Sequence, residues 1–200
     1  MRLWMYRLIC AFALGFAAGG VFKKCVSGSL AKRDCESPGW LWGLLPVNGL
    51  LYMWVMCAFG WQAESLLCCL CASALLAVAV VDGKTMEIPW QYNLFIGGLG
   101  LIRMFLCRSR WHIFFIGFFA VSSLLWAVFL LTEGEGIGGG DIKLMAAAGL
   151  FLGWERALLA FAAGGSAGAL FHILTAEKGQ KRRAFAIGPY LAAGILAVMF

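Results

Sequence analysis

Charge is scarce in this chain. Only 13% of its 200 residues are Asp, Glu, Lys or Arg, whereas soluble domains carry about a quarter, so an ordinary soluble domain is excluded. Histidine is scarcer still: His112 and His172 stand alone, and without a His-Glu-x-x-His pattern they argue against a zinc peptidase. The eight cysteines show no metal-ligand spacing. Cys57, Cys68, Cys69, Cys71 and Cys107 lie in or beside apolar runs, where cysteine acts as a small hydrophobe. No run alternates as a strand does, and no internal repeat is evident.

What fills the chain instead is apolar. Hydrophobic residues make up 62% of it and the mean hydropathy is +0.87. Apolar runs occur near residues 3–22, 41–60, 64–81, 91–107, 111–132, 142–153, 155–175 and 185–200. At about 20 residues per crossing, these predict an all-α, polytopic membrane protein of seven or eight transmembrane or partly inserted helices. The expected division is an N-terminal helix with a short basic loop over 1–40, then a helical membrane domain over 41–200. The first run has the basic flank of a secretory signal, but nothing after it looks secreted, so a retained helix is expected. Aromatic residues, 14% of the chain, suit lipid and its interfaces and identify no ligand.

The net charge of +6 comes in short clusters between apolar runs, which marks topology rather than a nucleic-acid surface. Lys23, Lys24, Lys32 and Arg33 form one cluster, and Lys178, Lys181, Arg182 and Arg183 another. Cytoplasmic loops are enriched in such residues, so both are expected inside. Counting crossings from the first cluster brings Asp82 and then Asp141 to that same face. Segment 142–153 is then a single short element, about 18 Å long at 1.5 Å per residue, with its bend at Gly153 and Trp154. Arg103, Arg108 and Arg110 fall on the outer side, against the charge rule.

Each acid alone fits a plain boundary role. Asp82 precedes Gly83, a residue suited to closing a helix, and Asp141 is of the type that caps helix starts. Together at one depth they suggest more, since carboxylates in a bilayer are costly and commonly functional. Two close carboxyls cannot easily both ionise, so one keeps its proton and the other stays charged. Such a pair can activate water and polarise a peptide carbonyl without a metal or a cofactor. Gly138, Gly139 and Gly140 lack a Cβ and would let an extended substrate backbone approach Asp141. A phosphate loop is disfavoured, because no Gly-Lys-Ser/Thr sequence follows. Lys143, two residues on from Asp141, belongs to another helix face. Glu64, Glu87, Glu133, Glu135, Glu155 and Glu177 sit at run boundaries, where solvated carboxylates are the default. Glu87 is the one that could meet a basic peptide.

The stretch "GGGDIKLMAAAGLFLGW" resembles the Gly-x-Gly-Asp motif of the type IV prepilin peptidases, membrane aspartic proteases. It supplies Gly138, Gly140, Asp141, Lys143, Leu144, Gly153 and Trp154. "VVDGKTMEIP" resembles the family's first motif, with Asp82 ahead of Ile88 and Pro89. Pro46, at the start of the second helix, and "GPY" at Gly188, Pro189 and Tyr190 extend the similarity over about residues 46–195. The resemblance implies that Asp82 and Asp141 form a catalytic dyad in the bacterial cytoplasmic membrane, facing the cytoplasm. It also implies prepilin or pseudopilin precursors as substrates, with a short basic leader ending in glycine before an apolar helix. Many members also methylate the new N-terminus and carry paired Cys-x-x-Cys motifs between the first two helices. Here "KKCVSGSLAKRDCESPG" holds only Cys25 and Cys35, short of the four ligands of a structural zinc. Peptidase activity alone is therefore expected. A membrane transporter or secretion-system scaffold using the same acids for ions or protons is the alternative.

Overall fold

The structure is a computed structural model that describes residues 2–36, 38–132, 137–175 and 186–200. The second basic cluster (Lys178, Lys181, Arg182, Arg183) and Glu133, Glu135 and Glu177 lie outside the described residues. Among those described, all regular structure is helical: α1 (Arg2–Ala31), α2 (Leu44–Phe59), α3 (Ala63–Thr85), α4 (Trp90–Leu106), α5 (Trp111–Leu131), α6 (Gly139–Leu152), α7 (Trp154–Thr175) and α8 (Gly188–Met199), with 3-10 turns at Gly39–Gly43 and Arg108–Arg110. A bilayer offers no water to backbone N–H and C=O groups, so helices, which satisfy them internally, are what an apolar chain forms there. The chain is an all-α polytopic membrane protein. Five spans are long and apolar enough to cross: Trp4–Ala31, Gly39–Phe59, Ala63–Thr85, Trp111–Leu131 and Trp154–Thr175.

The four prolines mark helix starts. Pro38 and Pro89 are the residues just before helical turns, Pro46 is third in α2 and Pro189 second in α8. The first turn of a helix has no internal use for the N–H that proline lacks. Helix ends differ from expectation in two places. The basic cluster does not begin as a loop at Lys23, because α1 continues through Lys23 and Lys24 to Ala31; nothing in that stretch breaks a helix. Gly83 does not close α3 either. The helix runs through it to Thr85, and Met86 takes the left-handed conformation, with φ 53°.

The helices group into two compact units, Met1–Ala77 and Val78–Phe200, so that the boundary falls within α3. In the first, α1 packs along α2. Two of its buried polar residues are bonded together: the Ser73 hydroxyl donates to Asn48 Oδ1, and Asn48 Nδ2 donates to the Leu44 carbonyl at 2.9 Å. Lys23 places its Nζ 2.8 Å from the ring centre of Trp42.

In the second unit α6 is the central element. From Asp141 to Leu152 every residue except Lys143 is buried, as expected of a helix apolar on all sides. Helix α4 runs alongside α6 in the same direction, with Asn93 at Gly140 and Arg103 at Phe151. Helix α5 crosses it where Gly117 meets Gly149, small residues that let membrane helices approach closely. Gly153, with φ 86°, ends α6 and turns the chain directly into α7, as the sequence predicts. Arg103 Nη1 donates to the Phe151 carbonyl at 3.0 Å, with its guanidinium 5.0 Å from the Phe151 ring. Phe151 is in the last turn of α6, where carbonyls lack helical partners. Arg103 thus has a local bond that its place in a charge count does not reveal.

Candidate active site

All three buried polar residues described in the second unit, Asp82, Asn93 and Asp141, lie at one end of it. Asp82 projects from the last full turn of α3 and is 4% exposed. Its Oδ2 accepts the Gly188 N–H at 3.0 Å. That bond comes from the start of α8, whose N–H groups have no helical acceptors and favour negative charge. The approach is tight. A Cβ on Gly188 would stand 2.5 Å from Asp82 Oδ2 and 2.7 Å from its Cγ, so only glycine fits here.

Asp141 is 8% exposed and sits three residues into α6 from the capping position, which belongs to Gly138. The expected N-cap role is thus shifted. Its Oδ2 instead reaches back to accept the Gly138 N–H at 3.3 Å, the half of a capping box that an acid at this position supplies. Glycine has no side chain to supply the other half. Oδ1 of Asp141 has no hydrogen-bond partner. At 14 residues α6 is not one of the five long spans, and Asp141 stands at its mouth. Burial raises its carboxyl from the ordinary 3.8 to about 6; the charge of Asp82 raises it as well, and the Gly138 N–H opposes the rise. The second of these effects requires the two carboxyls to lie within electrostatic reach of one another.

The remaining motif residues divide. Pro89 is buried at the start of α4, and Ile88 lies against the glycine turn, its Cβ 3.2 Å from where a Cβ of Gly140 would be. The α3–α4 connection and the Gly138–Gly140 turn therefore touch, which joins the two sequence motifs. Gly139 is open, with nothing near the position a side chain would take. Lys143 is exposed, the one such residue from Asp141 to Leu152. Glu87 is exposed, and Glu64 and Glu155 occupy the first turns of α3 and α7, where a negative charge suits the helix dipole.

Two neighbours escaped the sequence reading. Gly188 was noticeable only as part of a Gly-Pro-Tyr stretch, and its bond joins residues 106 apart. Asn93 stands beside Gln91 and Tyr92 in the first turn of α4, where its sequence neighbours do not set it apart. Its Nδ2 donates to the Gly140 carbonyl at 3.4 Å. As for metals, among the described residues no three His, Cys, Asp or Glu side chains converge, and Cys25 and Cys35 do not make up a four-ligand zinc site.

Comparison with known proteins adds relatives to this geometry. A family model described as the type IV leader peptidase family matches residues 69–173, a span that includes both aspartates, Asn93 and the glycine turn. The prepilin leader peptidase/N-methyltransferase of Burkholderia pseudomallei (strain K96243) is 31% identical over 182 residues, covering 84% of this chain and 57% of the relative. The protein of the same name from Stutzerimonas stutzeri is 33% identical over 163 residues, with 76% and 55% covered. That from Escherichia coli (strain K12) is 28% identical over 127 residues, with 60% and 56% covered. The chain spans a little over half the length of these curated relatives. No solved structure matches it.

Proposed function

Because the chain belongs to the type IV leader peptidase family, we propose that it is a membrane aspartic endopeptidase that removes the leader from prepilin or pseudopilin precursors. The observation that carries this reading is the burial of Asp82 and Asp141 within electrostatic reach of each other, beside a glycine turn open at Gly139. Asp141, the acid whose hold on a proton burial strengthens, donates its proton to the scissile carbonyl oxygen from its protonated form. Asp82, already accepting the Gly188 N–H, takes a proton from water as the water oxygen bonds to the carbonyl carbon. The tetrahedral species then breaks its C–N bond, Asp82 passing its proton to the leaving nitrogen while Asp141 recovers one from a hydroxyl of the carbon. Fixed donors and a water-poor site favour both transfers.

The site faces the cytoplasm from the inner membrane in this reading, which the cluster of Lys23, Lys24, Lys32 and Arg33 supports. Residues 41–200 form the peptidase domain. Peptidase activity is proposed without N-methyl transfer, since the region holding Cys25 and Cys35 has no paired Cys-x-x-Cys. The test is to co-express a pilin precursor with the wild type, Asp82→Asn and Asp141→Asn and follow leader removal by gel shift and mass. Processing is expected with the wild type alone, insensitive to zinc chelation and without an added methyl group. Full processing by either variant would refute the dyad.

A further inference from the structure

Asn93 is 7% exposed, and its Oδ1 has no hydrogen-bond partner. The amide cannot be turned round to repair this. Its nitrogen faces the Gly140 carbonyl, which only accepts, and a flip would oppose two oxygens. An unsatisfied buried acceptor forfeits its hydration with no return, and native structures keep few of them. Among the described residues of the second unit, the buried side-chain oxygens without partners are Asn93 Oδ1 and Asp141 Oδ1, carried by residues that flank Gly140. An extended peptide presents the complement of such a pair, an N–H for one and a carbonyl for a protonated carboxyl. The open edge of the turn at Gly139 leaves room for it.

We propose that Asn93 is a substrate-positioning residue: its Oδ1 accepts a main-chain N–H of the precursor beside the cut, while its Nδ2 holds the Gly140 carbonyl and so the turn that carries Asp141. This rests on the peptidase reading. An amide suits this place, because it is the residue type that can donate to a fixed carbonyl and accept from a ligand at once. Recognition through main chain also suits a precursor cut after glycine, a residue with no side chain to read.

The full chain, purified in detergent, would be assayed on synthetic precursors with a basic leader, a glycine at the cut and an apolar continuation. A parallel series carries a single N-methyl group on each main-chain nitrogen flanking the cut. With the wild type, one N-methyl position is expected to raise KM roughly tenfold, the size of one lost hydrogen bond in a buried site. Asn93→Leu should raise KM on the unmodified precursor by a similar factor, and that same N-methyl position should then cost nothing more. Asn93→Thr, which retains an acceptor, should recover part of the loss. Independent, additive effects of Asn93→Leu and every N-methyl position would overturn the proposal, because a merely structural amide does not distinguish between the substrates. Failure of the wild type to cut any unmodified precursor is a separate result, which removes the peptidase reading itself.

Discussion

Asp141 shows how one residue's surroundings set its chemistry. A carboxyl raised from 3.8 to about 6, chiefly by burial, binds its proton more tightly in the folded protein than in the unfolded chain. Between those two values the folded state therefore holds more protons, and stability must fall as pH rises through the window. The contribution is complete below about pH 4 and gone above about pH 6. Thermal unfolding in detergent across pH 4 to 7 should show the wild type losing stability over this interval. Asp141→Asn, which keeps the shape but cannot titrate, should lose distinctly less; equal slopes for the two proteins would mean that the Asp141 environment is not as described.

At the scale of elements, the site is where the mouths of three helices meet the end of a fourth. The Asp82 end of α3 meets the first turn of α8, and the connection into α4 meets the glycine turn that opens α6. The start of α8 is the least forgiving of these contacts. Gly188→Ala would drive a methyl group against the Asp82 carboxyl and break the 3.0 Å bond. A hydrogen bond to a charged group contributes about 1.5–3 kcal/mol, so kcat for leader removal should fall on the order of 10- to 100-fold with smaller change in KM. Near wild-type kcat in Gly188→Ala would show that the Asp82 carboxyl does not need this donor. Much of the element pattern was legible in the sequence, because long apolar runs in lipid have only the helix open to them, and the bend at Gly153 followed from one glycine. The helix ends were less legible: Gly83 looked like a stop, yet Met86 took the left-handed turn. The roles of Asn93 and Gly188 were not legible, since each is defined by a partner 47 or 106 residues away, and nothing local distinguishes an amide with a distant bond from one without.

For the whole molecule the decisive quantity is sidedness, since a peptidase acting on cytoplasmic leaders must present its acids to the cytoplasm. Helix α3 fixes the relation between its two ends: 23 residues rise about 35 Å, enough to cross a hydrocarbon core of about 30 Å. The turn at Gly60 and the turn at Met86 are therefore expected on opposite faces, with Asp82 next to the latter. Two charge clusters give opposing votes on which face is which. Lys23, Lys24, Lys32 and Arg33 call for the Asp82 end inside, whereas Arg108 and Arg110, exposed in the turn after α4, would then be outside. Arg2 and Arg7, at the other end of α1, would be outside as well, but Lys178, Lys181, Arg182 and Arg183 join the first cluster, so eight cations outweigh four in the positive-inside rule, and Arg103 has its charge drawn to the Phe151 carbonyl and ring. Fusions truncated at the two turns test this directly. A reporter that folds only in the cytoplasm should be active when joined after Met86 and silent after Gly60, and a periplasmic phosphatase should show the reverse. The opposite pattern would put both aspartates on the outer face, out of reach of a cytoplasmic leader, and would leave the proton- or ion-binding reading of the same acids as the better account.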